Sequence, residues 1–591
     1  MKFLLAFCFL ISINMFSQQD IVAKEYFKNG EFEKALLTYK KLYTKNKNNN
    51  NYLFQLVKTH QQLEQYNEAE VLLLEQISRI NFPSLYIELG YNYHLKNDLE
   101  NANINYSIAI SSIDVNPNYA FSVGRFFEDH SLLEQAIIVY EKAMLQKPEL
   151  NFNIQLARIY GEQGNIEKMF TSYINFVEKN STQLNIIKRA FSEFISEDSD
   201  NENNIILRKI LLKKIQLEPN LLWNEMLSWL FVQQKDYKKA FAQEKAIFNR
   251  LPESLNRIQE LALISANEEN TEVSKEIFIF LINTAQDIET KLDAHYYLLI
   301  IKTKEVTKNN YTAINNEYLE LFNTYGYFTQ TLKLQIAYAH FLAFTLHNTD
   351  SATTFLKNSL ELPLTNTQKA QVKLELGDIL VLQEKFNEAL IYYTQIQRNL
   401  KNSTISQEAR FKVAQTSYYK GDFNWAESQL KILKSSTSQL IANDALDLKL
   451  LISDNTAEDS LQTALKLYAK ADLFSFQNRD DEAIALLNTI LQDHKTETII
   501  DQALFKQAQL FESKKEFIKA ETNYIRIITD YKDGILADNA HFELAELYVN
   551  QLAQPEKAKE LYEQIIFNYQ DSIYFVDARK KYRALRGDAI N

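Results

Sequence analysis

Small residues recur through the first third of this chain at a nearly fixed interval. Ala35, Ala69, Ala102, Ala136 and Met169 are 34, 33, 34 and 33 residues apart. Each is followed four residues later by a larger one: Tyr39, Leu73, Tyr106, Tyr140 and Tyr173. Four residues is about one helical turn, so each couple lies on one stripe of a helix. The turns ahead of them share a pattern too, in KNGEFEKAL, LEQYNEAEV, LKNDLENAN and EQGNIEKMF. A period of this kind confines the chain to copies of one supersecondary unit, each burying its apolar face only against its neighbours.

The clearest copy runs from Pro117 to Pro148. Gly124 and Phe127 share a face of a first helix, and Ala136, Tyr140 and Ala143 make the stripe of a second. EDHSLLEQ is the polar turn between them, and Pro148 ends the unit. Small residues opposite large ones let two antiparallel helices approach closely. Gly and Pro number 10 and 7 in 591 residues, against an average of about 12% for the two together. That depletion argues for nearly continuous helix. The 37 Phe and 33 Tyr exclude wholesale disorder, and a mixed net charge of −12 without a long basic block excludes a general nucleic-acid footprint.

These residues and spacings resemble the tetratricopeptide repeat (TPR), a helix–turn–helix unit of about 34 residues. The resemblance implies an all-α fold, a TPR-type α-solenoid: a right-handed superhelix of about 14–16 stacked antiparallel helix pairs, some degenerate. The markers divide the chain into residues 19–180 (N-terminal array), 181–365 (degenerate helical repeats), 366–452 (TPR block) and 453–591 (C-terminal extended TPR block with a basic final helix). In 181–365, SEDSDNENN reads as a long turn inside a diverged unit, and Trp223 and Trp229 as core wedges. Beyond 366, Ala389, Ala426, Ala483, Ala520 and Ala558 open second helices at intervals of 37, 57, 37 and 38. The interval of 57 is not two units, so an unpaired helix is expected near Gln439 to Ile452. The phrases TDYKDGILADNAHFELAELY and FNYQDSIYFVDARKKY are similar to extended repeats of bacterial envelope proteins such as the Tol–Pal coordinator and the Bam-complex lipoprotein.

Residues 1–18 are read as a signal peptide. Met1-Lys2 precedes a mostly apolar run from Phe3 to Phe16, shorter than the roughly 20 residues that span a bilayer. Cys8 is the only cysteine and follows bulky Phe7, so it is filler in the apolar run rather than a lipidation site. A mature chain without cysteine forms no disulfide and no thiolate metal site.

The search for chemistry returns little. Gly90, Gly124 and Gly377 are packing positions, Gly30, Gly164 and Gly421 are turn positions, and no glycine-rich phosphate loop can be built. No HExxH occurs; His340 and His347, two turns apart on an expected helix, are the nearest approach to a ligand pair. Asp480-Asp481-Glu482 and Glu197-Asp198 lie in helix-opening turns, where acids favour the helix dipole. No catalytic residue, cofactor site or metal site is assigned.

If the resemblance holds, first helices line an inner groove, and the residue after each small packing residue faces it, with those three or four further on. These are Tyr91, His94, Arg125, Glu128, Arg158, Asp378, Gln415, Tyr418, Tyr419 and Gln509. Arg579, Lys580, Lys581, Arg583 and Arg586 on the final helix cap its C-terminal dipole or meet an anionic partner. The expected function is a non-enzymatic protein-binding scaffold of the Gram-negative cell envelope. It would be exported to the periplasm, associated with the outer membrane at most peripherally, and would bind envelope proteins or peptides but not nucleic acid. The alternative is a structural subunit of an outer-membrane assembly, secretion or division machine; an enzyme or glycan-binding protein ranks below both.

Overall fold

The computed structural model describes residues 19–305, 310–433, 438–456 and 462–588. Residues 1–18, read above as a signal peptide and containing Cys8, lie outside them. Among the described residues the regular structure is helical and no strand occurs. The chain divides into two compact blocks, Met1–Ser265 and Ala266–Asn591.

In the first block, antiparallel helices follow one another in pairs. The helix at 19–28 pairs with Phe32–Lys45, Asn50–Gln62 with Tyr66–Arg79, and Pro83–Leu95 with Leu99–Val115. Ala120–Asp129 and Leu133–Gln146, Asn153–Glu162 and Ile166–Lys179, Leu184–Ser192 and Glu202–Leu217, and Leu221–Gln233 and Tyr237–Arg250 continue the stack. SEDSDNENN makes the turn within the Leu184–Leu217 pair and opens its second helix. There the Asn204 side-chain amide donates to the carbonyls of Ser196 and Asp198 at 2.8 and 2.6 Å. Trp223 is 1% exposed, a core residue. Trp229 is half-buried with its ring centroid 6.3 Å from that of Phe191.

The second block uses the same plan in Ile288–Glu305 and Tyr311–Tyr325, Asn366–Leu382 and Phe386–Asn399, and Thr404–Tyr419 and Phe423–Leu433. Thr463–Phe476 and Asp480–Asp493, Ile500–Ser513 and Phe517–Asp530, and Ala537–Asn550 and Pro555–Asn568 follow, with Phe575–Arg586 as the last helix. An additional helix, Gln439–Asp454, sits between two pairs. Thr463–Phe476 still reaches Thr404–Tyr419 directly, and one apolar core runs from Ala414 to Ala578. The helix Leu332–His340 ends in a π-turn at Phe341–Thr345. His347 then takes a left-handed φ of 54° in the following turn, so His340 and His347 do not share a helical face as the sequence suggested.

The glycine–tyrosine spacing has a steric cause. A Cβ on Gly90 would lie 2.6 Å from the Tyr106 ring, and one on Gly124 or Gly377 would lie 2.3 or 2.4 Å from the ring of Tyr140 or Tyr393. The tyrosine of each second helix thus occupies the volume that a side chain on the first helix would fill. Many of the turns within pairs close in one way. The amide of Leu132 donates to the Phe127 carbonyl at 2.8 Å and that of Ser131 to the Glu128 carbonyl at 2.8 Å, a Schellman ending that requires a left-handed residue between the helices. Glycine fills that position at Gly30, Gly164 and Gly421, but Glu64, Ser131, Lys235 and Lys515 also adopt it, with φ near 56–61°. A side chain in that region costs about 1 kcal/mol. Lys515→Gly is therefore expected to raise stability by about 0.5–1 kcal/mol in thermal unfolding.

Candidate functional groove

First helices touch first helices of the next pair in both blocks. The face they make is concave, because side chains meet across intervening helices. Phe54 and Phe126, on first helices either side of Pro83–Leu95, stand 5.0 Å apart edge to face. In the second block Phe344 and Phe476 stand 5.6 Å apart. Beside them the Gln477 amide donates to the Leu382 carbonyl and that of Asn478 to the Phe344 carbonyl, at 3.2 and 3.4 Å.

On this concave side, buried tyrosines end in carboxylates, three of which are held in turn by a cation. The Tyr140 phenol donates to Glu128 at 2.6 Å, and Glu128 pairs with Arg158 of the next first helix. Tyr393 donates to Asp378 at 2.5 Å, and Lys412 approaches the other oxygen of Asp378 at 2.9 Å. Tyr562 donates to Glu546, which Lys581 meets at 2.6 Å. Tyr524 donates to Glu512 at 2.5 Å. Burial first, and the carboxylate second, push the phenols of Tyr140, Tyr524 and Tyr562 far above the ordinary tyrosine range.

The residues expected in the groove fall into three groups. Glu128, Arg158 and Asp378 are in the networks just described. Tyr91 stacks on His130 with centroids 4.0 Å apart and lies 6.2 Å from His94, which is exposed, as are Arg125 and Gln509. Gln415 and Tyr419 are half-buried. Tyr418 is a correction: it is 1% exposed and donates to Asp472 at 2.9 Å, so it belongs to the core beneath Thr463–Phe476 and not to the groove surface. Of the final-helix cations, Lys581 is paired with Glu546, and Arg583 and Arg586 turn to Asp588. Arg579 lies over the Phe575 ring at 5.9 Å, and Lys580 is exposed.

Sequence reading singled out His340 with His347 but missed its actual partners: its Nδ1 is 2.9 Å from Glu375 and its ring stacks on Phe344 at 4.3 Å. Burial works against a charged ring there, but the hydrogen bond and charge of Glu375 outweigh it and raise the imidazole pKa. It also missed the acidic stretch of Glu512, Glu543 and Glu546. Burial raises the Glu543 pKa, and Glu512 and Glu546 add to the rise. A carboxyl whose folded pKa is raised stabilises the fold fully below its unfolded value and loses that contribution as pH climbs through the folded one. Glu543→Gln is expected to add a few tenths of a kcal/mol at pH 7 and nothing below about pH 4, checked by thermal melts at both.

Among the described residues no group of three or more His, Cys, Asp or Glu side chains could hold a metal ion. None of their helices is long and apolar enough to cross a membrane. No protein-family model matches the chain. No curated protein matches it. Solved structures do. A chain from the crystal structure of the APC/C hetero-tetramer Cut9–Hcn1 aligns over 90% of this chain and 96% of its own, at 13% identity and a TM-score of 0.27. A chain from the structure of Naa15/Naa10 bound to HypK-THB aligns over 97% and 94%, at 12% identity and a TM-score of 0.29. The helix pairs, their Schellman turns and the glycine–tyrosine contacts define the class: an all-α solenoid of TPR type.

Proposed function

We propose that the protein is a non-enzymatic scaffold that holds partner proteins or peptides along its concave first-helix face, in the envelope of a Gram-negative bacterium. One observation carries the binding role: the floor of that face is built from buried tyrosine–carboxylate–cation networks. They fix side chains such as Glu128 and Asp378 in place while Arg125, His94 and Gln509 remain exposed above. Such a floor is preorganised, so little side-chain freedom is lost on binding. The envelope assignment rests on the apolar run Phe3–Phe16 and on the similarity of the C-terminal phrases to envelope repeats. Partners would be other envelope proteins, with a role in outer-membrane assembly, secretion or division. The test compares affinity capture from cells by the wild type and by the groove variant Arg125→Glu/Gln509→Lys, together with fractionation of the tagged chain. Partners lost with the variant, and protein in the periplasmic or outer-membrane fraction, support the proposal. Identical captures, or a cytoplasmic chain, refute it.

A further inference from the structure

In the second block a cleft opens between the second helices Tyr311–Tyr325 and Thr349–Ser359, with the first helix Leu332–His340 as its floor. Two cavities of about 510 and 320 Å³ adjoin there, and Tyr327 and Phe355 stand in the walls of both. The walls are aromatic. Phe355 meets Tyr338 edge to face at 5.2 Å and Tyr327 at 5.9 Å. Tyr327 stacks on Phe322 at 5.0 Å and is still 49% exposed. Among the described residues, none that lines either cavity is charged, in a chain where 24% of residues are. The cleft is therefore not built for an ionic ligand.

Its polar groups are biased toward donors. Of the four carboxamides in the lining, three have their oxygen engaged from within. Asn315 accepts from the Tyr338 phenol at 3.0 Å, Gln335 from the Ser359 hydroxyl at 2.8 Å, and Asn348 from the Ser351 amide at 3.3 Å. The amide nitrogens of Asn315 and Asn348 and the hydroxyls of Tyr311 and Tyr327 have no hydrogen-bond partner among the described residues. The floor departs from regular helix as well. The π-turn at Phe341–Thr345 closes with the Leu346 amide donating to the Phe341 carbonyl at 3.0 Å, and Leu342 and Leu346 line the larger cavity. Such π-turns recur at functional sites.

A ligand that suits such a cleft offers apolar rings and acceptors without donors. An ordinary extended peptide carries an N–H for every carbonyl, a helix satisfies both internally, and a sugar hydroxyl is donor and acceptor at once. Proline has the carbonyl and no N–H, and a polyproline II helix leaves its carbonyls without internal partners. We infer that the cleft binds a proline-rich segment of a partner protein in the polyproline II conformation. Its pyrrolidine rings would lie against Tyr327 and Phe355, and its carbonyls would accept from Tyr311, Tyr327 and Asn315. A segment already held in that conformation loses little freedom on binding. The cleft lies between second helices, apart from the concave first-helix face, so the inference goes beyond the scaffold reading and stands without it.

The test titrates the purified full chain into fluorescein-labelled decaproline, amidated at its C-terminus, and reads anisotropy. Saturable binding with a Kd below about 1 mM is expected. Tyr327→Ala, at an exposed loop position, should weaken it tenfold or more. Asn315→Asp keeps the acceptor for Tyr338 and removes the amide donor, and should weaken the peptide while the helical circular dichroism spectrum is retained. Arg125→Glu/Gln509→Lys, on the concave face, should bind decaproline as the wild type does. The inference is overturned if decaproline does not bind, or if both cleft variants bind it unchanged. It is equally overturned if a Gly-Ser decapeptide or the neutral saccharide maltohexaose binds as tightly. Loss in the concave-face variant alone would also overturn it, and would move the peptide to the first-helix face with the scaffold reading intact.

Discussion

Replacing Tyr393 with alanine is expected to cost about 3–5 kcal/mol. Tyr393 is fully buried, fills the space over Gly377, and ends in the 2.5 Å hydrogen bond to Asp378. Truncation removes a full aromatic ring from a site whose walls are helix backbone, so collapse is limited. It also leaves Asp378 with Lys412 alone. Tyr393→Phe keeps the ring and loses only the hydrogen bond, so about 1 kcal/mol is expected. Urea unfolding followed by far-UV circular dichroism separates the two. A loss confined to one phase of the transition is anticipated, because contacts in a stack reach only neighbouring pairs.

The complementary change, Gly124→Ala in the first block, adds one methyl and should still destabilise by about 1–3 kcal/mol. Intrinsic helix preference alone predicts the opposite sign, a gain of about 1 kcal/mol for alanine over glycine in a helix interior. Sterics win because the added Cβ would stand 2.3 Å from the ring of Tyr140, which is held in turn by Glu128. Combining Gly124→Ala with Tyr140→Leu should recover part of the loss, since both act on one volume. By contrast the Gly161 position, with only the Met169 sulfur 3.2 Å from an added Cβ, should accept alanine with little penalty because that side chain can move.

The period and the pairing of Gly124 with Tyr140 and Gly377 with Tyr393 were legible because they repeat at fixed spacing and report a local contact. The partner of each phenol was less so. The carboxylate sits four residues after the small residue at Glu128 and one after it at Asp378, two positions on one helical face that no single spacing captures. Tyr418 misled for a related reason. It holds the slot of Glu128 relative to small Ala414, yet Thr463–Phe476 packs over it, and Gln439–Asp454 inserts between the two in sequence. A helix was foreseen there, but nothing in its residues says that the next pair reaches past it. The Phe344–Phe476 contact and the π-turn beside it depend on how tightly successive pairs curve, which side-chain periodicity does not encode.

The central claim is that partners are held on the concave side. A photo-crosslinking residue placed at Arg125 or Gln509, exposed on first helices, and at Leu37 or Ile518, each 63% exposed on second helices, tests it directly in living cells. Covalent adducts with the same partner from Arg125 or Gln509, and none from Leu37 or Ile518, are the predicted result. Adducts from the second-helix positions alone, or from none of the four, would contradict it.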